Sequence, residues 1–309
     1  MKKLFLVFFC FAMFSFSLFA GSQKETTPLR VGILPDTDSL PIMLARDLNL
    51  FEKEGVKVDI ILFSNPQERD AAIQAGRLDG AISDLLAAAF LAAAGYDFKV
   101  TSSTNGRYGI IASPQSGIKT LQELRGKRIG LSVNTIIQYT VDAQLSAVGI
   151  SMNEYEAVAI PRMPLRLEMV LSGQVEAASL PEPLLTAAVA QGAVLLSTTD
   201  TTNINAGILL FSKKTLDTNL NSVRAFYRAY YKAAEEINSN PDAYRDYLVK
   251  EAGFPEAVKN TYRFITYKKP SLPANSQVRN VLEWLKNRNL LNVNLSPENI
   301  IDTRIVNEW

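Results

Sequence analysis

Short apolar runs alternate with amphipathic stretches along this chain, and the first clear example is residues 29–63. Residues 29–34 form an apolar run typical of a buried parallel strand. After a polar loop, apolar residues recur at helical spacing up to Gly55, which is typical of a helix end. Residues 56–63 predict a second strand. The segment therefore predicts a strand–helix–strand unit, whose first loop lies at the ligand-binding edge of a sheet.

The same alternation continues and then repeats about one hundred residues later. Residues 72–81 and 169–178 share one pattern: a helix end, a glycine, a polar, an apolar and an acidic residue, then two small residues. This echo and the mainly βαβ order predict two doubly wound α/β sheets of common architecture. Further strands are predicted at residues 78–83, 98–102, 108–112, 128–131, 156–160 and 208–211. Further helices are predicted at residues 66–76, 84–94, 135–147, 165–172, 220–238, 241–251, 255–264 and 276–286.

Two crossings of the chain divide these elements into lobes. One crossing is predicted within residues 105–120 and the other near residues 201–212. The first lobe is then built from both ends of the chain and the second is inserted into it. We predict that residues 23–108 and 207–309 form lobe I and residues 109–206 form lobe II. Two crossings make a hinge, and the cleft between the lobes is the natural ligand site.

The N-terminal 22 residues have the pattern of a secretory signal peptide. Lys2 and Lys3 precede an apolar run, and small residues at Ala20 and Ser22 suit cleavage after Ser22. We predict export to a periplasmic or other extracytoplasmic location. An uncleaved membrane anchor is the alternative, because the apolar run is long for a signal peptide. A lipid anchor is not supported, since the only cysteine, Cys10, lies inside the run.

The amino-acid composition limits the kinds of catalytic and binding site that the protein can form. The chain has no histidine, and beyond Cys10 it has no cysteine, which excludes histidine-based triads, thiolate nucleophiles and histidine metal sites. Without Lys2 and Lys3, 30 basic residues face 31 acidic residues, which is no signature of nucleic-acid binding. No phosphate-binding or dinucleotide-binding glycine motif occurs. We predict neither a cofactor nor a metal, and a carboxylate-only enzyme remains an alternative.

Polar residues cluster at the predicted ends of strands. They are candidate ligand contacts, although most of them could equally cap the helix that follows. The loop at residues 132–135 also opens a helix, whose free N–H groups favour an electron-rich group. Tyr108, at the first crossing, could stack on a planar ligand. The predicted ligand-binding residues are Asp36, Thr37, Asp38, Ser39, Ser83, Asp84, Tyr108, Ser132, Asn134, Thr135 and Glu182.

Other conspicuous side chains favour a structural role. Tyr139 and Trp284 lie on predicted amphipathic helices and are expected to pack in the core. Arg162 and Arg166 could meet an anion, but solvated surface positions are the commoner outcome for arginine.

Four segments together carry a resemblance to a known family. They are LARDLNLFEKEGVKVDI, AAIQAGRLDGAISD, TLQELRGKRIGLS and GQVEAASLPEPLLTAAVAQGA, in this order, with two crossings. Over residues 28–290 the chain resembles the periplasmic substrate-binding proteins of ABC importers. Within them it resembles the group that binds nitrate, sulfonates, taurine and thiamine pyrimidine precursors. The resemblance implies a bilobal type II periplasmic-binding-protein-like fold, with the ligand held between lobes that close over it.

The resemblance also implies the partners: a small-molecule ligand and a membrane permease, with the protein itself expected to be a monomer. Carboxylates at the site would repel a bare anion, so the residues favour a nitrogen-containing organic ligand over nitrate or a sulfonate. The same fold group contains pyrimidine- and menaquinone-pathway enzymes. The pyrimidine enzyme resemblance brings a cysteine-rich motif and a histidine that this chain lacks. A secreted sensor module is the third alternative.

Overall fold

The computed structural model describes residues 27–202, 204 and 206–306, which form two five-stranded sheets flanked by helices. The predicted signal peptide lies outside these described residues. The strands are β1 (Leu29–Ile33), β2 (Val58–Leu62), β3 (Gly80–Asp84), β4 (Phe98–Ser103), β5 (Tyr108–Ala112), β6 (Arg128–Leu131), β7 (Glu156–Ala159), β8 (Ala177–Pro181), β9 (Val194–Thr198) and β10 (Gly207–Ser212).

Helices connect the strands and complete the C-terminal part of the chain. The α-helices are α1 (Leu40–Asp47), α2 (Leu50–Lys53), α3 (Pro66–Gln74), α4 (Leu85–Ala93), α5 (Ile136–Ser146), α6 (Met163–Leu171), α7 (Leu184–Ala190), α8 (Thr199–Thr202), α9 (Lys213–Thr218), α10 (Leu220–Ser239), α11 (Arg245–Lys250), α12 (Asn275–Asn287) and α13 (Pro297–Ile300). The 3-10 helices are Leu121–Leu124, Pro241–Tyr244 and Glu256–Val258. Within the described ranges, no helix is both long and apolar enough to span a membrane.

The two sheets repeat one topology. The first has the order β2-β1-β3-β10-β4, with β1 parallel to β2 and β3, and β10 antiparallel to its neighbours. The second has the order β7-β6-β8-β5-β9, with β6 parallel to β7 and β8, and β5 antiparallel to its neighbours. This common arrangement agrees with the echo in the sequence and confirms the predicted pair of doubly wound sheets.

The antiparallel strand of each sheet follows a crossing between the sheets. Residues 104–107 join β4 to β5, and residues 199–206 join β9 to β10. The chain therefore leaves the first sheet once and returns to it once. Because β1 and β3 are parallel neighbours, their carboxyl ends lie at one edge, next to the crossings.

A third connection between the two halves comes from α12. This helix packs against α4 beside the first sheet, whereas Trp284 and Arg288 at its C-terminal end reach Asp142 on α5 beside the second. Trp284 Nε1 donates to Asp142 Oδ2 over 2.8 Å, and Arg288 Nη2 does so over 2.6 Å. Tyr139 packs edge-on against Trp284, so both aromatic residues belong to the core, as predicted.

The predicted strands are confirmed to within two residues at each end, and one predicted helix is wrong. Residues 255–264 form only the 3-10 turn Glu256–Val258. Backbone carbonyl groups along this segment accept from arginine side chains, and one of them, that of Lys259, is a group that the predicted helix would bond internally. Arg245 Nη1 donates to the carbonyls of Lys259 (2.8 Å) and Tyr262 (3.1 Å), and Arg107 Nη2 donates to that of Arg263 (3.3 Å).

Candidate functional site

Seven of the predicted ligand-binding residues line one cavity between the two sheets. Its open volume of about 50 Å³ is enough for a few water molecules. A larger ligand therefore requires the walls to move apart. The seven residues are Asp36, Asp38, Ser83, Asp84, Tyr108, Ser132 and Thr135.

Asp36 and Asp38 occupy the loop after β1. Asp36 Oδ1 accepts hydrogen bonds from the Ser39 amide (3.2 Å) and the Ser39 hydroxyl (3.1 Å). The alternative that the Ser39 side chain caps α1 does not hold, because that side chain donates to Asp36 instead. Burial raises the pKa of Asp36, and the hydrogen bonds from Ser39 oppose the rise.

Asp38 is nearly inaccessible, at 2% exposure. Its Oδ1 accepts a hydrogen bond from the Asn105 amide over 2.9 Å. The Thr104 hydroxyl and the Gly106 amide lie beside the same carboxylate and favour its charged form. Burial first, and then the charge of Asp36, raise the pKa of Asp38 despite these donors. Asp38 is thus bound to the first crossing as well as lining the cavity.

Asp84 ends β3 and begins α4. One carboxylate oxygen, Oδ1, accepts from the Ala87 amide over 2.9 Å and so caps the helix. The other, Oδ2, lies 4.0 Å from Nη2 of Arg69. Burial raises the pKa of Asp84, and the Arg69 guanidinium opposes the rise. The capping and site interpretations of Asp84 therefore apply to different oxygens.

Arg69 is a cavity residue that the sequence did not reveal. It lies in α3, which begins at Pro66 after an Asn65 cap whose side chain accepts from the Glu68 amide (2.9 Å). Its guanidinium is 2% exposed and donates to the Ile82 carbonyl (3.1 Å). Its Nε donates to Asp70 (2.8 Å). An arginine beside an aspartate on a helix is typical of a solvated surface, so the sequence carried no signal of this burial.

The second sheet contributes the loop after β6 and the start of α5. Thr135 caps α5 by accepting from the Ile137 amide (3.2 Å), and its hydroxyl donates to the Ser132 carbonyl (2.9 Å). The Ser132 hydroxyl accepts a short hydrogen bond from Arg166 Nη2. Because the Ser132 hydroxyl oxygen accepts from Arg166, the hydroxyl hydrogen can be donated to another group.

Arg166 is fully buried, contrary to its expected place at the surface. Its Nε donates to the Ile160 carbonyl over 2.9 Å, and its Nη1 donates to the Ser179 carbonyl over 2.8 Å. Burial without a carboxylate partner lowers its pKa to about 10. The guanidinium thus links the residues that follow β6 and β7 to the middle of β8.

Tyr108 begins β5 and faces the same cavity. Its amide donates to the Thr199 hydroxyl over 3.1 Å, which links the two crossings. Burial raises its pKa well above the ordinary value, so the phenol stays protonated. Ser83 also faces the cavity. Within the described residues its buried hydroxyl oxygen has no hydrogen-bond partner.

Four predicted residues lie outside this cavity. Thr37 is buried and its carbonyl accepts from the Tyr267 hydroxyl (2.7 Å), whereas Ser39 turns toward Asp36. Asn134 is exposed, with a left-handed φ of 57°, and its amide donates to the side-chain oxygen of Gln138. Glu182 is the fourth and lies beside a different cavity.

Glu182 is 1% exposed and pairs with Arg107 of the first crossing over 3.2 Å. Its second oxygen accepts from the Thr186 amide over 3.1 Å. Burial raises the pKa of Glu182, and these hydrogen bonds and the charge of Arg107 oppose the rise. Arg107 also lies 3.3 Å from Asp200 of the second crossing. Glu182 therefore belongs to an ion-pair network at the hinge. No group of three or more metal-ligating side chains occurs in the part of the chain that the structure describes.

Two solved substrate-binding proteins have this arrangement. The alkanesulfonate-binding protein SsuA from Xanthomonas axonopodis pv. citri superposes with a TM-score of 0.76 at 20% identity, covering 89% of this chain and 98% of that one. The periplasmic nitrate-binding protein NrtA from Synechocystis PCC 6803 superposes with a TM-score of 0.76 at 16% identity, covering 92% and 88%. These similarities confirm the bilobal periplasmic-binding-protein-like fold class.

Sequence relatives include both a binding protein and an enzyme. A Brachyspira hyodysenteriae protein, provisionally named an ABC transporter periplasmic binding protein, is 23% identical over 72% of this chain and 69% of its own length. The 4-amino-5-hydroxymethyl-2-methylpyrimidine phosphate synthase of Schizosaccharomyces pombe is 30% identical, over 38% of this chain and 35% of its own length. Residues 36–244, more than half of the chain, match the family described as NMT1/THI5 like. This protein belongs to the NMT1/THI5-like family.

Proposed function

We propose that this protein is the extracytoplasmic substrate-binding component of an ABC importer, and that it captures a small molecule by closing two lobes around it. The observation that carries the proposal is the cavity itself. Its walls come from the carboxyl edges of two similar sheets, and the chain crosses twice between them. A ligand that touches both walls binds the closed arrangement better than the open one, and this differential affinity drives closure.

We propose the lobes expected from the sequence, residues 23–108 with 207–309 and residues 109–206. The membership of the strands in the two sheets supports this division, except that β5 begins at Tyr108 and so places this boundary residue in the second sheet. The permease partner and the export of the protein follow from the same function. The name of the Brachyspira relative supports both.

The charges around the cavity favour a ligand with N–H donors, such as a thiamine pyrimidine precursor, over nitrate or a sulfonate. Three carboxylates, those of Asp36, Asp38 and Asp84, face the cavity beside one guanidinium, that of Arg69. Arg69 already donates to Asp70 and to a carbonyl, and it lies near Asp84. A bare anion would therefore meet more negative than positive charge, whereas amino or ring N–H groups would find acceptors. The Ser83 hydroxyl offers a further polar contact.

A binding role is favoured over catalysis. The rival is a pyrimidine synthase like the relative from Schizosaccharomyces pombe, which matches over only 35% of its length. The cysteine-rich motif and the histidine expected of such an enzyme have no counterpart in these 309 residues. The carboxylates of the cavity instead cap a helix, accept from the hinge or face one another.

A thermal-shift panel tests the proposal. The purified protein is heated with aminopyrimidines, nitrate, taurine and an alkanesulfonate. A ligand at 100 times its dissociation constant should stabilise the protein by about 2.7 kcal/mol. We expect this shift with an aminopyrimidine only.

Two results would overturn parts of the proposal. Stabilisation by nitrate or a sulfonate alone, or a sulfonate that co-purifies in native mass spectrometry, would contradict the ligand class. Turnover of a stabilising aminopyrimidine into a phosphorylated or otherwise altered product would contradict the binding-protein function.

A further inference from the structure

Three consecutive residues of the first crossing surround the carboxylate of Asp38. The Asn105 amide donates to Oδ1 over 2.9 Å, and the Thr104 hydroxyl and Gly106 amide lie beside the carboxylate. Asp38 is also a wall residue of the cavity. A carboxylate has about four acceptor positions, so the hydrogen bond from Asn105 leaves others for the cavity side.

Gly106 of the first crossing packs closely against this carboxylate. A Cβ atom placed on Gly106 would lie 2.8 Å from Asp38 Cγ, so no side chain larger than the hydrogen of glycine fits without moving Asp38. The φ of Gly106 is outside the left-handed region, so backbone strain does not require glycine here. The closeness of Asp38 is therefore the reason for glycine at this position.

Neighbouring hydrogen bonds join the C-terminal segment to the first crossing and to the loop after β1. Asn105 uses its side-chain oxygen to accept from the Lys268 amide over 2.9 Å. The Tyr267 hydroxyl donates to the Thr37 carbonyl, one residue before Asp38. The loop after β1, the first crossing and the C-terminal segment are thus joined at one point.

Hinge motion changes φ and ψ at a few residues of the connecting segments. The hydrogen bond from the Asn105 amide and the close packing of Gly106 against the same carboxylate hold residues 105–106 in one conformation. We propose that Asp38 is the residue that couples the cavity to the hinge: it holds the first crossing in the conformation of the closed arrangement and offers a remaining acceptor position to the ligand. The coupling rests on the proposed capture by hinge closure. Asp38 is accordingly a positioning residue. Asp36 makes no hydrogen bond to the first crossing, so it is the better candidate for a residue whose only role is to contact the ligand.

Hydrogen exchange on the full-length protein without added compound tests this role. The variant Asp38→Asn keeps the size of the side chain but turns an acceptor into a donor facing the amides. We expect amide exchange in a peptide spanning residues 104–107 to accelerate about tenfold, the effect of losing about 1.4 kcal/mol of charge-assisted hydrogen bonding. The matched control Asp36→Asn, in the same loop and cavity, should leave that peptide unchanged. Equal effects of the two variants, or no effect of Asp38→Asn, would overturn the proposal.

A second variant perturbs the contact from the opposite side and covers the case in which Asp38→Asn does not fold. Gly106→Ala should accelerate exchange of the same peptide in the wild-type background, because the new Cβ displaces the carboxylate. In an Asp38→Ala background the conflict is gone, so adding Gly106→Ala should have little further effect. An equal effect of Gly106→Ala in both backgrounds would show that Asp38 is not the cause.

The measurements separate this inference from the proposed function. Small-angle scattering of the unliganded protein should show a larger radius of gyration for Asp38→Asn than for Asp36→Asn, because the crossing no longer favours closure. An unchanged radius together with faster local exchange would show that Asp38 orders the crossing without controlling the hinge, and this would overturn the coupling. Neither result depends on whether any compound of the thermal-shift panel binds.

Discussion

Ser83 carries a buried hydroxyl that faces the cavity without a protein partner, and Ser179 carries a similar hydroxyl away from it. Ser83→Ala removes no hydrogen bond within the described residues, so the unliganded melting temperature should stay unchanged. The affinity for whichever compound stabilises the wild type should fall by about 1 kcal/mol, the value of one hydrogen bond. Calorimetric titration checks this, with Ser179→Ala as the matched control. Equal affinity losses in both variants would contradict a contact at Ser83.

Asp84 is expected to affect stability as well as binding. Asp84→Ala removes the cap that accepts from the Ala87 amide and should lower the free energy of unfolding by about 1 kcal/mol. Asp84→Asn keeps a capping oxygen and should cost less, while it still weakens binding of a ligand with N–H donors. Chemical denaturation measures the first effect and thermal shift the second. A larger loss of stability in Asp84→Asn than in Asp84→Ala would refute the division of roles between the two oxygens.

The pair Asp36 and Asp38 predicts a pH dependence of stability. Burial raises both pKa values above 3.8, that of Asp38 to about 7, so the folded state binds more protons than the unfolded state between these limits. The free energy of unfolding contributed by the pair should therefore fall as pH rises from about 4 to about 7. The double variant Asp36→Asn/Asp38→Asn should flatten this part of the profile in urea titrations at stepped pH. An unchanged slope in the double variant would count against the raised pKa values.

At the residue scale, the sequence predicted where the polar loops lie, but not which of their residues line the cavity and which bind other parts of the protein. Patterning placed Asp36, Asp84 and Ser132 at strand ends, where the structure has them. It could not show that Arg69 and Arg166 are buried, because several of their partners are backbone carbonyl groups, which every residue type offers. Such partners leave no mark in the local sequence around an arginine.

Among the elements, α6 carries a buried arginine that links strands of the second sheet, and its amphipathic pattern did not predict this role. Arg166 projects from it to the carbonyls of Ile160 and Ser179 and to the Ser132 hydroxyl. Arg166→Lys supplies a single ammonium in place of the planar fork, so some of these acceptors lose their donor.

We expect Arg166→Lys to lower the free energy of unfolding by about 3 kcal/mol, since each buried unpaired acceptor costs about 1–3 kcal/mol. Arg162→Lys, four residues earlier and exposed, should change it by no more than about 0.5 kcal/mol. Urea denaturation of the two variants makes the comparison. A loss below 1 kcal/mol for Arg166→Lys would show that the guanidinium fork is dispensable.

Strand positions were predictable because buried parallel strands are continuous apolar runs bounded by glycine and polar loops. The helix predicted at residues 255–264 failed for a different reason. Arg245 takes up the Lys259 carbonyl, which the predicted helix would have bonded, and Arg245 and Arg107 also bind the carbonyls of Tyr262 and Arg263 near its end. Local propensity cannot anticipate donors that arrive from elsewhere in the fold.

For the whole molecule, the junction at Asp142 predicts how the two halves hold together. Its buried carboxylate accepts from the Tyr155 hydroxyl (2.6 Å) on its own side and from Trp284 and Arg288 of α12. Asp142→Asn leaves the Arg288 guanidinium without its buried counter-charge. The free energy of unfolding should fall by roughly 3 kcal/mol, and the radius of gyration in small-angle scattering should increase. Arg125, whose ion pair with Glu154 is exposed, gives the control Arg125→Gln, for which neither quantity should change much. An unchanged radius for Asp142→Asn would show that α12 does not restrain the halves.

The attachment of α12 to Asp142 affects how fast the two halves can separate. Two covalent crossings alone leave one half free to swing about the line that joins them, and swinging of this kind costs little. A third, non-covalent attachment away from the crossings has to break before the halves separate, unless the axis of rotation passes through it. Opening then requires the buried ion pair of Asp142 and Arg288 to break. Under the proposed function we therefore expect α12, which does not line the cavity, to lengthen the residence time of a captured molecule.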